Sequence, residues 1–237
     1  MKLVITKIVA MAAVAHAGLD HIAADMGLMV AQNSSLWGDR SITAMMGNLG
    51  SVIDTYGCWC FFDEKHGQGK GRPVNSIDGA CKTMAHAYDC AIMDAMDANE
   101  DDCVPWEINY VGGTSQGPAN LVANCDANNN NVCARAACKI EGNFVTTFFN
   151  EFVTIGGAPI DTEYQHANPM ATFDHLTDCK MIQGEEDRNR ECCGEQPNRY
   201  PYKPFTGLAN QKECCGSTVF PSSIQTCCPD NIPRITC

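Results

Sequence analysis

The sequence predicts a mainly α, disulfide-rich fold with a small cystine-rich hairpin module at its C-terminal end. Three observations carry that expectation. Sixteen of 237 residues are cysteine, an even number; long stretches place apolar residues at i, i+3, i+4 spacing; and the last sixty or so residues present cysteines as vicinal pairs beside aromatic-Pro segments. Such a cysteine content is a disulfide framework in a secreted chain and a set of metal sites in a reducing compartment.

The N-terminus favours the first. MKLVITKIVAMAAVAHA has a basic start, a short apolar stretch and small residues at Ala15 and Ala17, the form of a signal peptide over residues 1–17. The expected location is therefore secreted, extracellular. No later run has the length and apolarity of a transmembrane segment. Without residues 1–17 the chain carries 14 basic and 28 acidic side chains, a net charge of −14. That excludes nucleic acid or an anionic membrane as a partner held by overall charge, and leaves divalent cations and basic partners. Asn33 stands in the sequon Asn33-Ser34-Ser35, a glycosylation acceptor.

Residues 18–34 hold no cysteine and read as a propeptide or tail. Residues 35–155 hold Cys58, Cys60, Cys81, Cys90, Cys103, Cys125, Cys133 and Cys138. Residues 156–178 have the Gly, Pro and polar content of a linker. Residues 179–237 hold Cys179, Cys192, Cys193, Cys214, Cys215, Cys227, Cys228 and Cys237. In the first unit, Ser35 or Ser34 caps a helix with Leu36, Ile42, Met45, Met46, Leu49, Val52 and Ile53 at helical spacing. A second helix runs from Ser76 to about Met96, with Cys81 and Tyr88 on its buried side. The alternation in VPWEINYVGG, residues 104–113, predicts a short strand or hairpin arm. A third helix runs from Cys133 to about Phe152, with Ile140, Phe144, Phe148 and Phe152 in one core stripe.

The stretch YGCWC, residues 56–60, admits a metal site or a disulfide-pinned loop. Secretion would oxidise thiolate ligands, and no second C-x-x-C completes four of them. Neighbours one residue apart point opposite ways in an extended loop, so Cys58 and Cys60 belong to two different disulfides.

YGCWC, the Gly-rich run Gly69-Lys-Gly-Arg-Pro73, the helix DGACKTMAHAYDC and a later helix with paired cysteines together resemble the secretory phospholipase A2 family over about residues 35–152. The resemblance implies a three-helix domain with a short β element, a turn whose carbonyls wrap Ca²⁺, and a catalytic His followed by a cation-binding Asp. In register, Met84 and Ala85 stand at those two positions, and neither can act as a base or ligate a hard cation. A rebuilt site would draw on His86, Asp89 and Asp126. An alternative register through Cys133 puts Ala134 in the place of Asp126. Two residues along a helix is a rotation of about 200°, so His86 faces away from the position of the family's base. A replacement calcium site would draw on Asp63, Glu64 and Asn75, with His66 beside them.

In the C-terminal module, Glu191-Cys-Cys-Gly194 and Glu213-Cys-Cys-Gly216 repeat at a spacing of 22 residues, and Cys227-Cys228-Pro229 adds a third pair. Vicinal Cα atoms sit about 3.8 Å apart, too close for an ordinary disulfide, so each cysteine reaches a different strand. The pattern is similar to the di-cysteine repeats of galaxin-type matrix proteins of calcified skeletons. Together the two resemblances imply an acidic structural or extracellular matrix protein, biomineral-associated, with a catalytically inactive phospholipase A2-like domain, requiring no cofactor and assembling with itself, with other matrix proteins, or with mineral or divalent cations. The alternatives are a Ca²⁺-dependent secreted phospholipase A2 with a rebuilt site, and a non-hydrolytic lipid-binding module.

Overall fold

Asn75 begins the longest well-defined part of the chain. Its extended backbone and its side-chain oxygen, which accepts from the Asp78 N–H at 3.0 Å, cap helix α1, Ser76–Asp97. Asn99, in the left-handed conformation at φ 61°, ends it. The structure is a computed structural model and describes residues 22–27, 29, 55–61, 66–100, 102–111, 125–154, 160–182, 190–205 and 211–237. The expected signal peptide, Asn33, the first expected helix, Asp63 and Glu64 lie outside these residues.

Helix α2, Val132–Thr154, packs along α1. Asn131 caps it, accepting from Ala134 N at 2.8 Å, and the carboxylate of Glu100 accepts from Val132 N and Cys133 N, so a segment following α1 fixes where α2 starts. Ala80, Ala87 and Ala91 on α1 let the helices approach, and Met84, Tyr88, Ile140, Phe144, Val145 and Phe148 fill the core. The expected stripe is buried at Ile140, Phe144 and Phe148. The expected strand or hairpin arm over 104–113 does not form among its described residues, 104–111. Its described residues are turns, held by Ile108 N and Glu107 N donating to Val104 O, and Tyr110 turns inward to a buried acid instead of pairing with a strand.

Residues 160–178, within the expected linker, are packed: Ile160 is buried, Tyr164 and Phe173 lie against the core, and a 3-10 turn (Thr162–Tyr164) and a single helical turn α3 (His175–Asp178) shape the path. Among the described residues, the C-terminal part holds three antiparallel hairpins. β1 (Glu191–Cys193) pairs with β2 (Tyr200–Tyr202), β3 (Lys212–Cys215) with β4 (Thr218–Pro221), and β5 (Thr226–Cys227) with β6 (Pro233–Arg234). Gly216, at φ 61°, opens the two-residue turn of the second hairpin, a conformation the neighbouring vicinal cysteines would not adopt without strain.

All sixteen cysteines are paired, in eight disulfides. Cys58 and Cys60 do belong to two different bonds, to Cys179 and Cys81. Cys103–Cys133 and Cys125–Cys138 brace the start of α2. The rest form a series: Cys90 on α1 to Cys192, Cys193 to Cys214, Cys215 to Cys227, Cys228 to Cys237. Every vicinal cysteine thus reaches a different strand or segment, as its geometry requires. Two bonds, Cys58–Cys179 and Cys90–Cys192, cross between residues 35–155 and 179–237. The fold is accordingly disulfide-rich, with few helices and small antiparallel strand pairs. Among the described residues no helix is long and apolar enough to cross a membrane.

Candidate functional site

The YGCWC turn is folded around one carboxylate. Asp78, fully buried in the first turn of α1, accepts from Cys58 N at 2.9 Å, Trp59 N at 2.7 Å and Val74 N at 2.9 Å. Burial pushes its carboxyl up, and these N–H groups pull it back by favouring the charged form. Gly57, at φ 59°, has no room for a side chain, because a Cβ there would meet the Asp78 carboxyl at 2.5 Å.

The same turn does not fit a calcium ion. Gly71 O already accepts from Trp59 Nε1 and from the Lys82 ammonium, both at 2.9 Å, and His166 Nε2 sits 2.7 Å from Gly57 O. A cation sharing Gly71 O would meet the Lys82 charge. Asn75, expected as a ligand, is a helix cap whose amide donates to Tyr56 Oη at 2.7 Å, which occupies both ends of its side chain. Among the described residues no group of three or more His, Cys, Asp or Glu is placed to hold a metal.

Beside this turn lies a cleft of about 280 Å³, lined by Trp59, Phe61, His66, Lys70, His86, Asp89, Met181 and Arg190 among others. It brings together two of the three expected catalytic residues, His86 and Asp89, but not Asp126. The latter is exposed and forms an ion pair with Lys139 at 2.8 Å, which holds its carboxyl below the usual range. Asp89 bonds to His66, with Oδ1 3.2 Å from Nε2, and Arg190 approaches its other oxygen at 3.8 Å. His66, expected beside the replacement calcium ligands, is stacked on Trp106 with ring centroids 4.3 Å apart. His86 stands edge-on to Trp59. Chemically the cleft offers an imidazole oriented by a carboxylate, two further cations and aromatic walls. Among the described residues that line it there is no Ser, Thr or Cys.

Sequence reasoning missed a second acidic centre. Glu141 is fully buried on α2 and accepts from Tyr88 Oη at 2.8 Å and Tyr110 Oη at 2.7 Å. Burial pushes its carboxyl up to about 8, against the pull of the two phenols, and burial with the adjacent acid pushes the Tyr110 phenol far up. The available signal was an acid directly after Ile140 in a stripe otherwise made of Ile and Phe. No protein-family model matches the chain, and no curated protein matches it in sequence.

Proposed function

We propose that this protein is a secreted, acidic structural protein of an extracellular matrix, in which a phospholipase A2-like helical domain without catalytic function is held by disulfides to a cystine ladder that mediates assembly. The observation that carries this reading is the serial ladder from Cys90 through three hairpins to Cys237. A module of that form is stabilised by covalent links rather than a core, and it presents short unpaired strand edges to other chains. Its charge supports the same reading. Residues 179–237 hold seven basic and seven acidic side chains, whereas residues 18–178 hold seven and twenty-one. Ladders therefore meet without net repulsion while the helical part keeps the assembly soluble. Phe205, Ile224, Ile232 and Ile235 add exposed apolar contacts, and the acidic part suits divalent cations or mineral.

The test is sedimentation of the oxidised chain, residues 18–237, over rising concentration, with and without Ca²⁺. Oligomers that weaken in Ile224→Lys/Ile235→Lys support assembly, and a monomer under all conditions overturns it. Deleting residues 179–237 is the wrong control, since it strips Cys58 and Cys90 of their partners.

The His66–Asp89 pair favours a second reading, a hydrolase with a rebuilt water-activating site. Fatty acid release from zwitterionic or anionic vesicles, lost in His66→Ala, supports it. No release by the folded wild type dismisses it.

A further inference from the structure

Two histidines have no part in either reading. His166 and His175 lie in the segment that the sequence marks as a linker, and the fold brings their rings together, with centroids 5.2 Å apart. His166 is held on the YGCWC turn twice over. Its backbone N–H donates to Thr55 O at 3.3 Å, and its ring Nε2 lies 2.7 Å from Gly57 O. A carbonyl oxygen only accepts, so Nε2 carries the proton and Nδ1 keeps a lone pair. His175 opens α3, and its Nε2 is shielded from water with no hydrogen-bond partner among the described residues. A ring nitrogen stripped of water without replacement costs about 1–3 kcal/mol, which a ligand at that atom would recover. Phe61 packs against both rings, 4.7 Å from His175 and 5.4 Å from His166 between centroids, and Phe173 lies 6.0 Å from His166. Rings pinned in this way lose little freedom when they bind something. Both histidines line one pocket of about 400 Å³, together with Thr55, Gln68 and Asp174. Of the fixed charges that face His175, the cation of Lys70 is offset by the carboxylate of Asp174.

We propose that His166 and His175 form a two-imidazole site for a borderline divalent ion, Zn²⁺ or Cu²⁺, held by His166 Nδ1 and His175 Nε2, which ties α3 to the stretch already seated on the YGCWC turn. Metal–nitrogen bonds of about 2.0–2.1 Å to two imidazoles at a tetrahedral angle place the ring centroids about 5 Å apart, the separation these rings already have. Imidazole nitrogen suits such ions, whereas Ca²⁺ and Mg²⁺ demand oxygen. The bond from His166 Nε2 to Gly57 O is the outer contact that fixes the tautomer and the ring orientation of a ligating histidine. Two protein ligands are fewer than the four of a structural zinc site, so water completes the shell and the ion exchanges. The site stands apart from the calcium loop of the resemblance, and it depends neither on assembly nor on hydrolysis.

The test is Zn²⁺ binding to the oxidised chain, residues 18–237 without a histidine tag, by equilibrium dialysis at pH 7.5, in the wild type, His166→Ala and His175→Ala. Each variant should bind Zn²⁺ at least about tenfold more weakly, and excess Ca²⁺ should not displace the ion from the wild type. A second arm uses the wild type alone and decides the question if a variant does not fold. Cu²⁺ with ascorbate and dissolved oxygen oxidises the histidines that ligate copper, and peptide mass should find the added oxygen at His166 or His175 ahead of His21, His66 and His86. Zinc affinity that is unchanged in either variant overturns the proposal, since the pair would then not be the ligand set. So does displacement of Zn²⁺ by Ca²⁺, or copper-directed oxidation confined to the other histidines.

Discussion

Cys192 and Cys193 are adjacent in the chain and bonded in opposite directions, Cys192 back to Cys90 on α1 and Cys193 forward to Cys214 on the second hairpin. The same division recurs at Cys214 and Cys215 and at Cys227 and Cys228. Each hairpin is too small to be stable alone, so its order comes from the bond to its predecessor. Cys90–Cys192 is the first rung, and Arg199, 2.9 Å from Asp94 on α1, is its polar companion. Replacing Cys90 and Cys192 together by Ser should lower stability by about 2–4 kcal/mol in thermal unfolding, with the disulfides further along still formed. Limited proteolysis should then cut within residues 190–205 before it cuts α1 or α2. Cleavage that starts in the helices would show that the ladder does not depend on this rung.

The carboxylate of Asp78 organises the turn that the cysteines pin. Asp78→Ala leaves three buried N–H groups without their acceptor, a loss of about 3–5 kcal/mol. Asp78→Asn keeps one carbonyl oxygen in place and should cost less, about 1.5–3 kcal/mol. The measurement is the melting temperature with the disulfides intact. Equal and small effects would mean that Cys58–Cys179 and Cys60–Cys81 hold the turn without the acid.

Local signals made much of this fold legible. The helical spacing of Ile77, Cys81, Met84 and Tyr88, and of Ile140, Phe144 and Phe148, located α1 and α2, because burial on one face of a helix leaves a 3.6-residue period. Vicinal-cysteine geometry foretold that each partner goes elsewhere, since two adjacent Cα atoms leave no other arrangement. What remained hidden was non-local. Nothing local tells Cys179 that its partner is Cys58, 121 residues away, or tells Asp89 that His66 arrives from a loop. Glu141 was concealed for a related reason. An acid in an apolar stripe reads as a surface position unless its donors, Tyr88 and Tyr110 from two other segments, are known to converge on it.

In the cleft, the two histidines should respond differently to removal. The His66 side chain is 8 % exposed, stacked on Trp106 and bonded to Asp89, so His66→Ala should cost about 1.5–3 kcal/mol and alter the emission of Trp106. His86 is half-buried and touches Trp59 edge-on, so His86→Ala should cost about 1 kcal/mol or less. Denaturant unfolding of both variants, followed by tryptophan fluorescence, checks the order. A larger loss for His86→Ala would contradict the pairing of His66 with Asp89.

The phenols on Glu141 make the last expectation pH-dependent. Because the buried carboxyl is pushed up to about 8 whereas in the unfolded chain it titrates near 4.5, the folded protein binds the extra proton, and stability falls as pH rises from about 4.5 to 8. Above 8 the two tyrosines donate to a charged acceptor, and charge-assisted bonds are about twice as strong as neutral ones. Tyr110→Phe removes one donor and leaves the packing of the ring unchanged. It should therefore cost about 1.5–3 kcal/mol at pH 8.5 and only about 0.5–1.5 kcal/mol at pH 5.5, where Glu141 is protonated. The wild-type melting curve should already slope downward over this interval, and the variant should steepen it. A variant whose loss is the same at both pH values would mean that Glu141 does not change its charge between them.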